Sequence, residues 1–375
     1  MQINKILGGL ILSGALLTGC TEDRVDKPVL KDQVFNKAII NGNDKELAAK
    51  SLNTSQVEYL YAPSSVTAGR QSSFARAYWL GEERIVTMEF DEFSLNIYSI
   101  DKEKKFANNP SNKRLMMKIP VEHVDYRCAD DAYGQCVGEE VKNDRITWDK
   151  KNYFRPHFEE AKITDPTFLP AGGLFDDCYT TKESKLVKSS MDGDSINFRL
   201  ERAYQNNLYF YCVRGLTELE DLNWTDTTQY SFVRLDKLAS PDFQKAVYNS
   251  TWINTFGFFE RNDYVLDVDG NMVQDGEVKY ISRWNPNRSE IVYYLSPEFN
   301  KPENAIIKSA TYESFNRINE SLGRANIKFR MKLMEPDDSV DPVDLRTNMI
   351  VLAEDPFEAS VIGYGPTVTN PRTGE

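Results

Sequence analysis

Histidine is nearly absent from this sequence, since its 375 residues contain only His123 and His157. A catalytic zinc takes three protein ligands and keeps one open position, so these two residues cannot supply a three-histidine set. Tyr and Phe neighbours in the chain favour ordinary packed or surface histidines. The sequence also lacks a Gly-x-Ser-x-Gly motif, a phosphate-binding loop and a dinucleotide fingerprint, which excludes the commonest hydrolase and nucleotide-binding signatures.

Basic residues are outnumbered, because 45 Lys and Arg face 57 Asp and Glu and leave a net charge of −12. Nucleic-acid-binding proteins carry basic stripes, so we expect no nucleic-acid partner. Uninterrupted apolar runs of 18 residues or more are missing, and no transmembrane helix is predicted. Aromatic residues make up 12% of the chain, mostly Tyr and Phe, a composition that favours β structure.

The N-terminus has the pattern of an export signal. Lys5 precedes a short apolar run, Ile6 to Leu17, which is too short and too rich in glycine to span a membrane. The run ends in Leu17-Thr18-Gly19-Cys20, which matches the lipobox of bacterial lipoproteins. An ordinary signal peptide with a chance cysteine is the alternative. We predict that residues 1–20 are a lipoprotein signal peptide and that Cys20 is lipidated.

Acylation of Cys20 makes the membrane a partner of the chain, because several acyl chains together form a stable anchor. Thr21, rather than Asp, follows the cysteine, and this favours the outer membrane of a Gram-negative bacterium within the cell envelope. Residues 21–55 are polar and charged, with one possible short helix near Lys45 to Leu52. We interpret them as a tether between the anchor and the folded protein.

Four cysteines remain once Cys20 is lipidated, and an even number in an oxidising compartment predicts two disulfides. Three pairings are possible, and one of them joins Cys128 to Cys136 across a short loop. A zinc site using His123 and His157 is the rival interpretation, but the Cys-x7-Cys spacing is wrong for a zinc finger or ribbon. The disulfide candidates are Cys128, Cys136, Cys178 and Cys212.

Residues 56–284 read as a β-rich accessory region of one or two domains with antiparallel sheets, each with one buried face. Val86 to Phe90 and Phe93 to Ile97 alternate around Asp91-Glu92 and predict a hairpin, which Leu115 to Val121 continues. Alternation over Ile196 to Leu200 predicts a strand. We expect Leu208 to Val213 to pair with it, which places Cys212 in a strand, and a short helix from Asp242 to Tyr248.

Two acidic loops are candidates for calcium. Asp267-Val-Asp-Gly-Asn271 resembles part of a calcium loop, but Met272 and Val278 stand where the EF-hand needs Gly and Glu. A hairpin turn between Tyr264–Val268 and Met272–Val273 is the favoured interpretation. The second loop, for which a solvated loop is favoured, contains Glu335, Asp337, Asp338, Asp341 and Asp344. Calcium is therefore possible but not supported.

The last ninety residues predict an α/β unit. Glu290 to Leu295 is a buried strand, and a helix follows with Pro302 near its start and Gly323 just past its end. Its apolar stripe contains Ile307, Thr311, Phe315, Ile318 and Leu322. Ile327 to Leu333 alternates with basic residues, and Asn348 to Ala353 is one more buried strand. Strand–helix–strand order implies a right-handed crossover and a parallel pair.

This order of elements, with the closing run Gly363-Tyr-Gly-Pro-Thr-Val-Thr-Asn-Pro-Arg-Thr-Gly-Glu375, resembles large bacterial zinc-dependent metalloproteases of the metzincin type. The resemblance covers roughly Arg283 to Glu375, and Asn370 stands where Asp is common. In that family such a run leads into an edge strand, after which the zinc-binding His-Glu-x-x-His helix follows. No His-Glu-x-x-His is present in this sequence.

The resemblance implies that residues 285–375 open a metzincin-like catalytic domain that is truncated here, and that no catalytic or metal-binding residue lies in this chain. The complete protein would then be a zinc-dependent metalloendopeptidase, in which zinc activates a water and a glutamate acts as general base on a peptide or protein substrate. The chain alone is expected to be inactive. The alternative is a non-enzymatic β-rich surface lipoprotein, an adhesion or scaffold module.

Overall fold

The computed structural model describes residues 34–41, 57–67, 80–81, 83–100, 113–163, 179–209, 212, 222–238, 240–248, 257, 259–266, 272–337, 339–341, 343–354, 365 and 367–375. The predicted signal peptide with Cys20, the predicted helix near Lys45 to Leu52, Cys178, Asp338 and the turn Asp267 to Asn271 lie outside these residues. Within them, no helix combines the length and apolar character needed to cross a membrane.

The described strands, in chain order, are β1 (Phe35–Asn36), β2 (Glu58–Thr67), β3 (Arg84–Phe90), β4 (Ser94–Ile100), β5 (Lys113–Val124), β6 (Tyr126–Asp130), β7 (Cys136–Lys142), β8 (Tyr153–Pro156), β9 (Lys162–Ile163), β10 (Tyr179–Met191), β11 (Ser195–Asn206), β12 (Asn223–Arg234), β13 (Glu260–Leu266), β14 (Met272–Ile281), β15 (Glu290–Leu295), β16 (Arg330–Met334) and β17 (Asn348–Ile350). The described helices are α1 (Ala38–Asn41), α2 (Leu235–Leu238) and α3 (Ala305–Arg324). Short 3₁₀ turns occur at Trp148–Lys150, Phe158–Glu160, Pro297–Asn300 and Pro302–Asn304.

A ten-stranded sheet dominates the described chain. Its order is β1-β8-β5-β4-β3-β2-β12-β11-β10, and β9 also pairs with β5. Every pairing in it is antiparallel. The prediction of a β-rich region built from antiparallel sheets is confirmed, as is the hairpin of β3 and β4 that β5 extends.

Alternation along β11 explains how the sheet builds its core. Ile196, Phe198 and Leu200 are all buried on one face, as the period of two predicts. Phe198 stacks against Phe158 at 4.4 Å and against Tyr230 at 5.0 Å between ring centroids. Stacked rings bury large apolar areas, so this cluster is the centre of the main core.

The other face of the sheet is also covered, at β2 and β3. There Leu60 and Ile85 pack with Leu235 of α2, and Val368 of the closing run joins the same cluster. The sheet is therefore packed on both faces. The contact of Val368 places the end of the chain against the β-rich region.

Two sequence predictions for the β-rich region are wrong. Leu208 to Val213 does not pair with Ile196 to Leu200, because β10 and β12 occupy both edges of β11; Cys212 has a helical backbone rather than an extended one. Asp242 lies in a turn, and the residues after it are not helical; Val247 forms an isolated antiparallel bridge to Tyr280. The backbone of this segment bonds β14 instead of itself, since the Tyr248 amide donates to the Lys279 carbonyl at 2.7 Å.

Part of the predicted tether belongs to the fold. Phe35 in β1 pairs with Phe154 of β8, and Ile40 in α1 is 2% exposed within the main core. Phe35, Ile39 and Ile40 are the largest apolar residues of a short segment, 34–41, within a mostly polar stretch. They require burial, and this places the stretch against the sheet rather than in solvent.

Two hairpins accompany the large sheet. β13 pairs with β14, which confirms the hairpin predicted on either side of Asp267 to Asn271. β6 pairs with β7, and the predicted disulfide between Cys128 and Cys136 joins these two strands.

The C-terminal unit is a small parallel sheet. β15 lies in the centre and runs parallel to both β16 and β17, and α3 connects β15 to β16. The predicted parallel pair and its connecting helix are therefore confirmed. β16 starts at Arg330 and β17 ends at Ile350, so both strands are shorter than predicted.

Helix α3 differs from its prediction in two details. Gly323 lies inside the helix, and Asn326 takes the left-handed position beyond it, with φ of 56°. Phe315 is buried, whereas Ile307 and Ile318 are 45% and 40% exposed. The sheet of three short strands covers only part of the apolar stripe.

Candidate functional site

An aromatic contact and a side-chain bridge help to hold α3 on the C-terminal sheet. Phe315 of α3 meets Tyr293 of β15 edge to face, with ring centroids 5.6 Å apart. Asn319 bonds both backbone groups of Met331, accepting from its N–H and donating to its carbonyl, each at 2.8 Å. Because the Asn319 amide substitutes for a neighbouring strand at this residue, it covers part of the outer edge of β16.

The closing run ends in a compact turn built on Asn370. The Asn370 side chain is 3% exposed, and it accepts from the Arg372 amide while donating to the Leu235 carbonyl at 3.1 Å. The Gly374 amide donates to the Asn370 carbonyl at 2.7 Å. An ionised Asp has no proton to donate to a carbonyl, so Asn suits this position where the resembled family commonly has Asp.

Gly374 and Glu375 fix the turn against the β-rich region. Gly374 has φ of +83°, and a Cβ there would lie 3.1 Å from the Ile281 carbonyl oxygen. The Glu375 carboxylate accepts from the Ser240 amide at 2.5 Å and from its hydroxyl at 2.6 Å, and it pairs with Arg288 at 3.1 Å. The carboxylate is nearly buried, with 4% of its side chain exposed.

Side chains along the same run make further bonds to the large sheet and to β13. Arg372 pairs with Glu58 of β2 at 2.8 Å. Arg261 of β13 donates to the Thr369 hydroxyl and pairs with Glu83 at 2.7 Å. The run therefore joins three separate parts of the chain, and a turn fastened in this way fixes the direction of the backbone at Glu375.

The second acidic loop does not converge on one point. Glu335 accepts from Tyr312 at 2.6 Å and pairs with Lys308, and these bonds hold the pKa of its carboxyl below the usual range. Asp341 instead pairs with Arg199 of the large sheet at 2.6 Å, while Asp337 accepts from the Ser339 amide. The arrangement gives no support for a calcium site.

The favoured interpretation of this loop as solvated holds only for its first part. Glu335 is 65% exposed at its side chain, whereas Asp341 and Asp344 are 12% and 16% exposed. Asp344 pairs with Arg346 at 2.8 Å. Asp341 holds the loop on the sheet through Arg199, and Arg346 joins Asp344 to Asp192 with a second ion pair at 3.0 Å.

The two histidines have separate environments. His123 is buried, with Nε2 2.8 Å from the Asp91 carbonyl and its ring against Phe90 and Trp148; burial lowers its pKa. His157 is half-buried at its side chain and precedes the turn Phe158–Glu160. His123 is therefore a packed residue, and His157 is a partly exposed one.

One possible metal-ligand group is present among the described residues. The ligand atoms of His157, Glu159 and Glu160 lie within 4.8 Å of one another, and His123 is not part of the group. All three residues come from one short stretch, with both glutamates exposed. One histidine with two carboxylates does not match the three-histidine set that the resemblance implies for zinc.

Comparisons with known proteins do not extend this description. No family model, curated protein or solved structure matches the chain. The resemblance to metzincins therefore depends on the residues from Arg283 to Glu375 quoted above.

The predicted disulfide between Cys128 and Cys136 is present, with a Cα–Cα distance of 5.4 Å. It closes the β6–β7 hairpin, in whose tip the Asp131 carboxylate accepts from the Tyr133 and Gln135 amides at 2.8 Å. Cys212 is disulfide-bonded as well. With Cys128 and Cys136 joined, Cys178 is the cysteine left among the candidates, and it lies outside the described residues. The rival zinc interpretation is excluded for Cys128 and Cys136.

A buried polar cluster on β11 and β12 was missed by the sequence analysis. Arg202 and Asp226 are direct cross-strand neighbours and are 6% and 1% exposed. Arg202 donates to the Tyr230 hydroxyl at 2.6 Å, and Thr228 donates to Asp226 at 3.0 Å. Burial raises the pKa of Asp226 to about 6. The period of two over Ile196 to Leu200 continues through Arg202, and this was the available signal.

Proposed function

We propose that this chain is the N-terminal part of a lipid-anchored zinc-dependent metalloendopeptidase of the cell envelope. The observation that carries the proposal is the parallel unit β15–α3–β16, followed by a closing run whose turn is fastened at Asn370 and Glu375. In the resembled family these elements precede the zinc-binding helix. The chain would supply the sheet that backs this helix and the approach to the edge strand that pairs with an extended peptide substrate.

The fastened turn supports this role physically. A substrate-binding edge strand has to be held in register with the helix behind it, because catalytic groups need to be positioned within a fraction of an ångström. Asn370 donates a hydrogen bond to the Leu235 carbonyl. Glu375 accepts a hydrogen bond from Ser240 and forms an ion pair with Arg288. The backbone beyond this turn would therefore start from a point that the β-rich region fixes.

The described residues of this chain do not fit a catalytic zinc. His157 with Glu159 and Glu160 offers one histidine, and His123 is packed between aromatic rings. We therefore assign no catalytic step to any residue named here. Under the proposal the metal ligands belong to another part of the natural protein, and the chain alone neither cleaves peptides nor binds zinc stoichiometrically.

The anchor part of the proposal depends on the lipobox at Leu17 to Cys20 and is tested separately. Cys20→Ser should release the protein from the membrane fraction or leave it unprocessed, while the Cys178→Ser control should remain lipid-modified. Mass spectrometry of the N-terminal peptide gives the acyl mass directly. A processed, unacylated Cys20→Ser protein that fractionates with membranes as fully as the wild type would contradict the anchor.

The peptidase part is tested on the product of the complete natural gene. Its reading frame is searched for His-Glu-x-x-His, and cleavage of unfolded protein and of internally quenched peptides is measured with and without a zinc chelator. We expect chelator-sensitive cleavage that is lost when the motif's glutamate is replaced by glutamine, and none from the 375-residue chain. A frame without the motif and without activity would favour the non-enzymatic surface lipoprotein.

A further inference from the structure

The segment 34–41 contains β1 and α1, and we name it the N-terminal strap. It is attached to the large sheet at β8, where Phe35 pairs with Phe154, and it continues onto β3, which α1 contacts. The Lys37 amide donates to the Asn152 carbonyl at 2.8 Å, and Ile40 is buried in the main core. Strands of two residues and helices of four are not stable by themselves. The strap therefore depends on the groups beneath it.

Two basic side chains share one pair of aromatic rings at the strap. The Lys37 ammonium lies 5.3 Å from the ring centroid of Phe90 and 5.5 Å from that of Trp148. The His123 imidazole lies against the same two rings, with centroid distances of 5.5 Å and 5.1 Å. Lys37 Nζ also donates to the Trp148 carbonyl at 2.6 Å. Lys37 and His123 are each 7% exposed, so the interaction between two positive charges here would be weakly screened.

The hydrogen bond of His123 determines which ring nitrogen carries the proton. Nε2 lies 2.8 Å from the Asp91 carbonyl oxygen, and because a carbonyl only accepts, Nε2 is the N–H of the neutral ring. Nδ1 is then bare, and it is buried without a hydrogen-bond partner among the described residues. Protonation would place an N–H on Nδ1 with no acceptor for it, and a second positive charge beside Lys37. Both changes are unfavourable in a buried site.

Further charged side chains face the pair from the elements packed against it. They are Asp91 before β4, Asp125 after β5, and Asp149 and Lys151 beside the Trp148 turn. Burial, together with the charges of Lys37 and Lys151, lowers the pKa of His123, and the hydrogen bond to Asp91 with the charge of its carboxylate offsets only part of this. Burial likewise lowers the pKa of Lys37 to about 8, against the charges of Asp149 and Asp125. The site therefore disfavours the charged form of both bases.

We propose that the N-terminal strap is a pH-sensitive device that loosens from the large sheet when His123 gains a proton. The strap opens rather than β5, which carries His123, because β5 is paired with β4 on one side and with β8 on the other. Since the closed strap lowers the pKa of His123, its stability is fully present above the ordinary value of about 6.5 and is lost as the pH falls below that value.

Loosening of the strap is independent of the peptidase and lipid proposals, but its consequence for the cell depends on the proposed lipid at Cys20. Release of residues 34–41 would lengthen the chain between the anchor and the folded region by up to about 26–29 Å, the span of eight fully extended residues. With the lipid in place, a mildly acidic medium would therefore let the β-rich region stand farther from the membrane.

The test is hydrogen–deuterium exchange of the 375-residue protein from pH 7 to pH 5, with mass spectrometry of peptides that cover residues 34–41. Protection factors divide the intrinsic exchange rate by the observed rate, and this removes the direct effect of pH on exchange. The amides of Lys37, Ile40 and Asn41 donate to backbone carbonyls and report opening of the strap. We expect their protection to fall as the pH is lowered, about tenfold for each unit by which the closed strap lowers the pKa of His123.

His123→Gln removes the titrating ring and should abolish this pH dependence. Lys37→Met keeps an unbranched side chain without the charge beside His123, so its loss of protection should be smaller than that of the wild type. His157→Gln makes the same change at the partly exposed histidine and should behave as the wild type. Thermal unfolding at pH 7 shows whether each variant is folded.

Three outcomes would overturn the proposal. The wild-type strap could keep its protection at pH 5. Acid could lower protection in residues 147–151 while the strap stays protected. His123→Gln or Lys37→Met could lose as much protection as the wild type.

Discussion

Asp226 is the residue whose titration should be visible in the stability of the whole β-rich region. Burial raises its pKa from 3.8 to about 6, so the folded protein holds this proton more tightly than the unfolded chain does. The resulting stabilisation is fully present below about pH 3.8 and is lost as the pH rises through about 6. Each unit of pKa difference corresponds to about 1.4 kcal/mol.

The pKa difference of about two units between the folded and unfolded states therefore makes the unfolding free energy roughly 3 kcal/mol larger at acidic pH than at neutral pH. About half of this increase should appear as the pH is lowered from 7 to 5. Carboxyls such as Asp91 and Asp192 have lowered pKa values because hydrogen bonds favour their charged forms, and their effect has the opposite sign. A comparison with a variant cancels these contributions.

The variant is Asp226→Asn, and the assay is urea unfolding at several pH values from 5 to 8. Trp224 is a local reporter because it stacks on Tyr204 at 4.4 Å, beside Arg202 and Asp226 in the strand register. Asp226→Asn also leaves Arg202 without a carboxylate, so its absolute stability is not the readout. The readout is the slope of the unfolding free energy against pH.

We expect the wild type to gain roughly 1.5 kcal/mol relative to Asp226→Asn between pH 7 and pH 5. Asp337→Asn makes the same atomic change in an exposed loop and should leave the wild-type slope unaltered over this range. Equal slopes for the wild type and Asp226→Asn would refute the reasoning, because the buried carboxyl would then titrate as it does in the unfolded chain.

Three further predictions concern stability. Gly374→Ala should lower the unfolding free energy, measured by thermal unfolding, by about 1–2 kcal/mol because alanine is strained in the left-handed conformation. Gly193→Ala is the control, since an added Cβ there meets nothing within 4 Å. Equal losses of stability in the two variants would contradict the strain. Asn370→Asp should cost about 1–3 kcal/mol because the Leu235 carbonyl loses its donor; an unchanged urea midpoint would show that this bond contributes nothing. Cys128→Ser should lower the unfolding free energy by roughly 2–5 kcal/mol, and the loss should appear first as faster hydrogen exchange in residues 126–142. Alkylation of Cys128 or Cys136 in the native wild-type protein would contradict the disulfide.

Short periodic runs were enough to predict five of the described strands, β3, β4, β5, β11 and β16. Met88 and Phe90 alternate with Thr87 and Glu89, and Asp91 has the side chain that closes the following turn, so local sequence determines that hairpin. The parallel unit was equally accessible, because strand–helix–strand order leaves few arrangements. In both cases neighbours in the sequence are also neighbours in space.

Predictions failed where the partner is distant in the chain. Leu208 to Val213 has a strand-like composition, but the edge of β11 that it would need is occupied by β10 on one side and β12 on the other. Phe35 and Ile40 lie in a short apolar segment of a polar stretch, and their burial is evident only once β8 and the core are in place. Arg202 reads as a surface residue because its partner Asp226 comes from the next strand, beyond a long connection.

The candidate site was predicted in part. The closing run was identified from its resemblance, but its bonds to Ser240, Leu235 and Glu58 could not be read from sequence, since each partner is more than a hundred residues away.

Zinc content tests the central claim most directly. The product of the complete natural gene and the 375-residue chain are purified under the same conditions, and metal per polypeptide is measured by inductively coupled plasma mass spectrometry. If the protein is a lipid-anchored metalloendopeptidase whose zinc ligands lie outside this chain, we expect one tightly bound zinc ion in the complete product and none in the 375-residue chain. A stoichiometric zinc in the 375-residue chain, or none in the complete product, would contradict it.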